Sequence, residues 1–149
     1  MKRTELRRTG LKKSRRDRSP SGIAYARYLS DATSCIACGR TADPKSKPRG
    51  WHGPWRLERA HLSSGGGRMV RVEDVRAVVI LCSLCHRLHV HHGGQIQVVA
   101  GESHHDLSDA NLLWLKRERD PANWDLDFIA SKWIGIPPEP VEPQINHRV

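Results

Sequence analysis

At 149 residues the chain has room for one compact domain with tails, and too little for two ordinary domains. Apolar residues make up 38% and aromatics 5%, with a single Phe, so the core is thin and an extra staple is expected. The formal net charge of +9 points to a polyanionic partner. The longest apolar run, Ala77 to Cys82, is far too short to cross a bilayer, and no secretory h-region is visible among the first Lys and Arg residues, so the expectation is a soluble, cytoplasmic protein without a membrane partner.

Taken in chain order, the first feature is a basic arm. Residues 2 to 18 hold Lys2, Arg3, Arg7, Arg8, Lys12, Lys13, Arg15, Arg16 and Arg18 against only Glu5 and Asp17. Such a block attracts nucleic acid through counterion release without reading sequence; a solvated tail that aids solubility is the plainer alternative. Residues 1–20 are expected to be disordered, closed by Ser19-Pro20. A short helix follows from Ile23 to Leu29, then a loop from Thr33 to Pro54 that carries the first cysteine pair.

Trp55 to Leu62 and Ala77 to Cys82 read as strands that pair as an antiparallel hairpin. The Gly-rich loop between them leads into Arg68, Arg71 and Arg76; ordinary solvated charges are one reading, and their place beside His61 favours phosphate contact. Ser83 to His92 suits a short helix ended by Gly93-Gly94, and Gln95 to Ala100 an edge strand or extended cover. Ser108 is a good N-cap for a helix through Leu112, Leu113 and Leu115, which Asp120-Pro121 breaks. Trp124 to Trp133 makes a second amphipathic piece, with Trp114, Trp124 and Trp133 as packing groups. The resulting division is an arm at 1–20, a domain at 21–135 and a Pro-rich tail at 136–149, of α+β class.

Cys35-Ile36-Ala37-Cys38 and Cys82-Ser83-Leu84-Cys85 are two C-x-x-C units. This spacing lets two thiolates from one tight turn take adjacent corners of a tetrahedron, and two units close a structural zinc site. Two disulfides or a redox pair are the alternatives; the absence of a secretory signal and of a thioredoxin-like pattern favours zinc. A closed tetrahedron has no open position for a substrate, so any chemistry must come from elsewhere.

Nine histidines supply candidates. His61 ends the first strand, His86 directly follows the last cysteine, and His89 lies one helical turn on, where both can face one metal ion. His91 and His92 lie close behind and leave the choice of ligand open. His52, His104 and His105 lack such spacing and read as surface groups. Trp51 and Trp55 suit cover for the first cysteine pair as well as base stacking. Ser103, His104 and Asp106 can be written as a triad, but sequence neighbours rarely form one.

Between Cys35 and Gly94 the chain resembles the HNH endonucleases, particularly the small bacteriophage forms. The resemblance rests on Cys35-x-x-Cys38, on Ala60-His61-Leu62 before a Gly-rich loop, and on Leu81-Cys82-x-x-Cys85-His86-x-x-His89. It implies a ββα-metal core with a zinc clamp and flanking short helices, acting on DNA in a bacterial or phage-infected cell. His61 would be the general base for the attacking water, and His86, with His89, would hold a catalytic Mg²⁺, Mn²⁺ or Ni²⁺. Two positions depart from the family pattern: Ala60 stands where a metal-ligating Asp or His is common, and Ala77 where the motif's Asn is common. Asp74, and less well Glu58, can supply the missing carboxylate. The rival reading is a non-catalytic, zinc-stabilised nucleic-acid-binding module, which Ala60 and Ala77 favour.

Overall fold

A computed structural model of the chain describes residues 19–42, 55–63, 72–90 and 107–144. Helix α1 spans Pro20–Ser30. It begins earlier than the apolar pattern indicates, because Ser19 is its N-cap, accepting from the Gly22 amide at 3.0 Å, and Pro20 occupies the first helical position. Proline is well suited there, since its missing N–H would have had no partner. Ser19-Pro20 therefore opens a helix instead of closing an arm.

Strands β1 (Leu57–His61) and β2 (Val78–Cys82) form an antiparallel two-stranded sheet, with Leu57 opposite Cys82 and His61 opposite Val78. A 3₁₀ turn over Val75–Ala77 leads into β2 and takes the first residue of the expected strand. All five residues of β2 are buried, which explains its unbroken apolar sequence. Helix α2 (Ser83–Val90) follows β2 without a loop and packs on both strands, while α1 packs on β1 and on the 3₁₀ turn. Arg59 ties α1 to β1: its guanidinium lies 4.3 Å from the Tyr25 ring centre and donates to the Tyr25 carbonyl at 3.1 Å.

Helix α3 (Asp109–Arg119) starts where the sequence places it, at Ser108. Ser108 and Asn111 form a reciprocal cap: the Ser108 hydroxyl accepts from the Asn111 amide at 3.2 Å, and the Asn111 side chain accepts from the Ser108 amide at 3.0 Å. Ser108→Ala should cost about 1 kcal/mol of stability. Urea unfolding measures this, and an unchanged midpoint would show the cap to be idle. Helix α4 (Leu126–Lys132) is capped by Asp125 and is shorter than the amphipathic stretch that announces it.

One core holds these elements together. Leu62, Val79, Leu81, Leu112, Leu113, Leu115 and Ile129 are buried with the cysteines, and Trp114, Trp124 and Trp133 pack against them as expected. Residues 136–144 form neither helix nor strand. There the Val141 amide donates to the Ala110 carbonyl at 3.1 Å, and the Asn111 side chain donates to the Val141 carbonyl at 2.9 Å. The architecture is thus α+β, with one small sheet among the described residues. Among the described residues no helix is long and apolar enough to cross a membrane.

Candidate functional site

The four cysteines come from two separate turns. Around the first pair, Ser34 bridges Thr41, the Cys35 amide donates to the Arg40 carbonyl at 2.8 Å, and the Gly39 amide donates to the Cys35 carbonyl at 2.8 Å. Gly39 reverses the chain at φ +73°, a conformation that costs any L side chain energy. The second pair spans the junction of β2 and α2. Each turn repeats one contact: the second cysteine's amide donates to the first cysteine's sulfur at 3.5 Å, Cys38 to Cys35 and Cys85 to Cys82.

The turns meet because the Ile36 amide donates to the Ile80 carbonyl on β2 at 2.9 Å. Arg119, at the end of α3, grips the first turn through the carbonyls of Ile36 and Ala37 at 2.6 and 3.1 Å. Trp55 is buried beside it in the same core and carries the Arg40 guanidinium 4.4 Å from its ring centre. All four sulfurs lie within 4.8 Å of one another, and no disulfide joins them. Cys38 and Cys82 Sγ are 3.7 Å apart. The edge of a tetrahedron with metal–sulfur bonds near 2.3 Å is about 3.8 Å, so the cluster has the dimensions of a four-thiolate metal site.

Packed this closely, the thiols compete for protons. Hydrogen bonds from Cys38, Cys82 and Cys85 draw the Cys35 thiol below its ordinary range, while Cys82 and Cys85 are pushed above theirs, chiefly by Cys35. A divalent cation ends that competition by replacing the shared protons.

A second group of polar side chains lies beside the cluster, on β1 and α2. His86 Nδ1 donates to Glu58 Oε2 at 2.6 Å, across from strand to helix. Burial pushes the Glu58 carboxyl up, but the hydrogen bonds from His86 and Arg56 outweigh it and hold the group below its usual value. His61 lies within electrostatic reach of His86. Its ring bonds the Val72 backbone carbonyl, and its Nε2 is buried with no partner among the described residues, so the Val72 bond falls to Nδ1. Burial lowers the His61 pKa from its ordinary value, and the Val72 bond opposes this only in part.

The other expected site residues lie elsewhere. His89 is buried, with Nε2 on Asp109 Oδ1 at 2.8 Å, so its ring is committed to the start of α3 while His86 is committed to β1. Asp74 caps the 3₁₀ turn and binds Arg76 side chain and amide at 2.9–3.0 Å. Glu58, not Asp74, is the carboxylate set against His86. Arg76 also pairs with Asp125 at 3.0 Å and stacks 3.7 Å from the Phe128 ring centre, which fastens the turn to α4. Lys12, Lys13, Arg15, Arg16, Arg68 and Arg71 lie outside the described residues, as do Trp51, His52, His91, His92, the Gln95–Ala100 segment, Ser103, His104, His105 and Asp106.

Lys116 belongs to no motif in the sequence, yet it is a centre of the packing. Its side chain is fully buried on the apolar face of α3. The ammonium donates to Asp120 Oδ2 at 2.6 Å, to the carbonyls of Val75 and Val78 at 2.5 and 2.8 Å, and to the Tyr28 hydroxyl at 3.2 Å. The Tyr28 hydroxyl in turn donates to Asp120 Oδ2 at 2.6 Å. One signal was available: Lys116 stands four residues after Leu112 and three after Leu113, where an apolar residue is expected.

No protein-family model matches the chain, and neither curated proteins nor solved structures give a significant match. The residues and their geometry therefore carry the functional argument.

Proposed function

We propose that this protein is a metal-dependent endonuclease of the HNH type that hydrolyses phosphodiester bonds in DNA, with zinc in the four-cysteine cluster. Four thiolates at tetrahedral spacing suit zinc, which has no redox chemistry and is bound in this way in closed structural sites. The order β1, β2, α2 gives the strand–strand–helix arrangement that a ββα-metal core requires.

The observation that carries the reading is His61. A neutral histidine whose Nδ1 is tied to a carbonyl presents Nε2 as a lone pair, the form needed in a general base for water. Beside it, Glu58 accepts from His86 Nδ1, which leaves His86 Nε2 with its lone pair available to a cation. This carboxylate–histidine pairing is a common support for a metal-binding imidazole, and it gives Glu58 a use although Ala60 brings no ligand. His86 would be the protein residue that holds the ion. A divalent ion held there would supply charge stabilisation for the phosphate and the departing 3′ oxygen. The net charge of +9 favours a polyanionic substrate.

The test is plasmid cleavage by zinc-loaded protein freed of other divalent ions, with Mg²⁺, Mn²⁺ or Ni²⁺ then added. Nicking or linearisation that depends on the added ion supports the nuclease. Salt-sensitive DNA binding without any product would favour a non-catalytic binding module, the reading to which Ala60 lends weight. Glu58→Gln should weaken the second ion's binding by ~10–100-fold while leaving the zinc content intact. Mn²⁺ calorimetry measures this, and equal affinity in the variant would remove Glu58 from the site.

A further inference from the structure

The segment between Val72 and Val78 runs beside His61, bonding its ring at Val72 and facing it across the sheet at Val78, and it belongs to no sheet ladder until β2 begins. The His61–Val78 pair is the last in the sheet, and beyond it the Leu62 amide donates to the Ala77 carbonyl at 3.0 Å. What shapes the rest of the segment is side-chain work. Asp74 accepts from the Arg76 amide at 2.9 Å, and the Val75 and Val78 carbonyls both accept from Lys116.

A lysine is a costly choice for that task. Its ammonium is fully buried, and burial lowers the Lys116 pKa against the opposing pull of Asp120. Methionine or leucine would fill the same space on α3 without desolvating a charge, but would strip the Val75 carbonyl of its lysine donor and leave Val78 only the long 3.5 Å contact of the Tyr28 hydroxyl. The ammonium has three N–H groups and four acceptors around it, two of them on this one segment. Asp120 and Tyr28 then fix the ammonium from α3 and α1, so two helices converge on the segment that begins at Val72.

We propose that Lys116 is a positioning residue for His61, acting through the Val72–Val78 segment to hold the Val72 carbonyl where it fixes the His61 ring. This rests on the reading of His61 as the general base. Lys116 touches neither substrate nor reacting atoms. Its effect is to keep Nδ1 protonated and engaged, so that Nε2 stays the free nitrogen.

The deciding measurement is the tautomer of the His61 ring, read by long-range ¹H–¹⁵N correlation NMR on the full-length, zinc-loaded protein at pH 8. Lys116→Met and Asp120→Asn should convert a single Nδ1–H form into a mixture with Nε2–H. They should also lower the cleavage rate constant on the order of tenfold with KM nearly unchanged. Ile129→Val trims a buried residue of α4 outside this network and serves as the control for general loosening; its tautomer should match the wild type. If Lys116→Met does not fold, Asp120→Asn decides. An unaltered tautomer in Asp120→Asn, or an equal change in Ile129→Val, overturns the proposal. A wild type that cleaves nothing, with the tautomer change still seen in the Lys116 and Asp120 variants, overturns the catalytic reading and leaves the coupling of Lys116 to His61 supported.

Discussion

Removing the metal from the four-cysteine cluster should unfold the domain. The first cysteine turn is joined to the rest mainly by the Ile36–Ile80 and Arg119 hydrogen bonds, and the second lies at the β2–α2 junction, so the cluster fastens together segments far apart in sequence. Structural zinc contributes about 10–16 kcal/mol in small zinc-finger peptides, against a net stability of about 5–15 kcal/mol for typical domains. The first figure is as large as the whole of the second, so the loss should not be tolerated by so thin a core. Chelation at neutral pH, or Cys85→Ser, is expected to abolish the helical circular dichroism signal and the cooperative thermal transition. Re-addition of Zn²⁺ should restore both in the chelated wild type. A chelated protein that melts at its original temperature would mean that the thiols are ordinary core residues.

On the nuclease reading proposed above, replacing His61 with alanine should lower metal-dependent cleavage by ~10²–10⁴-fold, the usual contribution of a general base. Zinc content and the melting transition should survive, because the His61 side chain is only partly buried and lies at the end of β1. The pH profile gives the same prediction a sign. Burial lowers the His61 pKa below its ordinary 6.5, and a base works only when deprotonated. Activity should therefore be full at neutral pH and fall as pH drops through a midpoint below 6.5, a limb absent from any residual activity of His61→Ala. A cation beside the ring moves that midpoint further down, since it disfavours imidazolium. Plasmid linearisation rates from pH 5 upward measure the limb, and an identical profile in the variant would assign the base elsewhere.

Much of the architecture was legible because its determinants are local. Two C-x-x-C spacings, a β-branched run before the second, and Ser108 ahead of a leucine-rich stretch each act within a few residues, and each structure forms where it was expected. The pairing within the site was not legible. His86 and His89 share a helix and appear equivalent by spacing, yet one turns to Glu58, 28 residues away, and the other to Asp109, 20 residues away. Which partner each ring finds depends on where β1 and α3 pack against α2, and spacing along one helix contains no information about that. Asp74 drew attention by its place before β2, but Arg76, two residues on, satisfies it locally. The same pairing, with Asp125, commits an arginine that sequence alone offers to phosphate.

Cys85 and His86 are consecutive residues in the first turn of α2. Adjacent positions on an α-helix diverge by about 100°, so one points into the sulfur cluster and the next toward β1. A one-residue insertion or deletion between Cys82 and His86 would rotate one of these side chains away from its partners, whatever residue was added or lost. Length, more than composition, is the constrained property of this stretch: within the five residues from Cys82 to His86, the sulfur cluster and the His86–Glu58 pair are set by a single spacing.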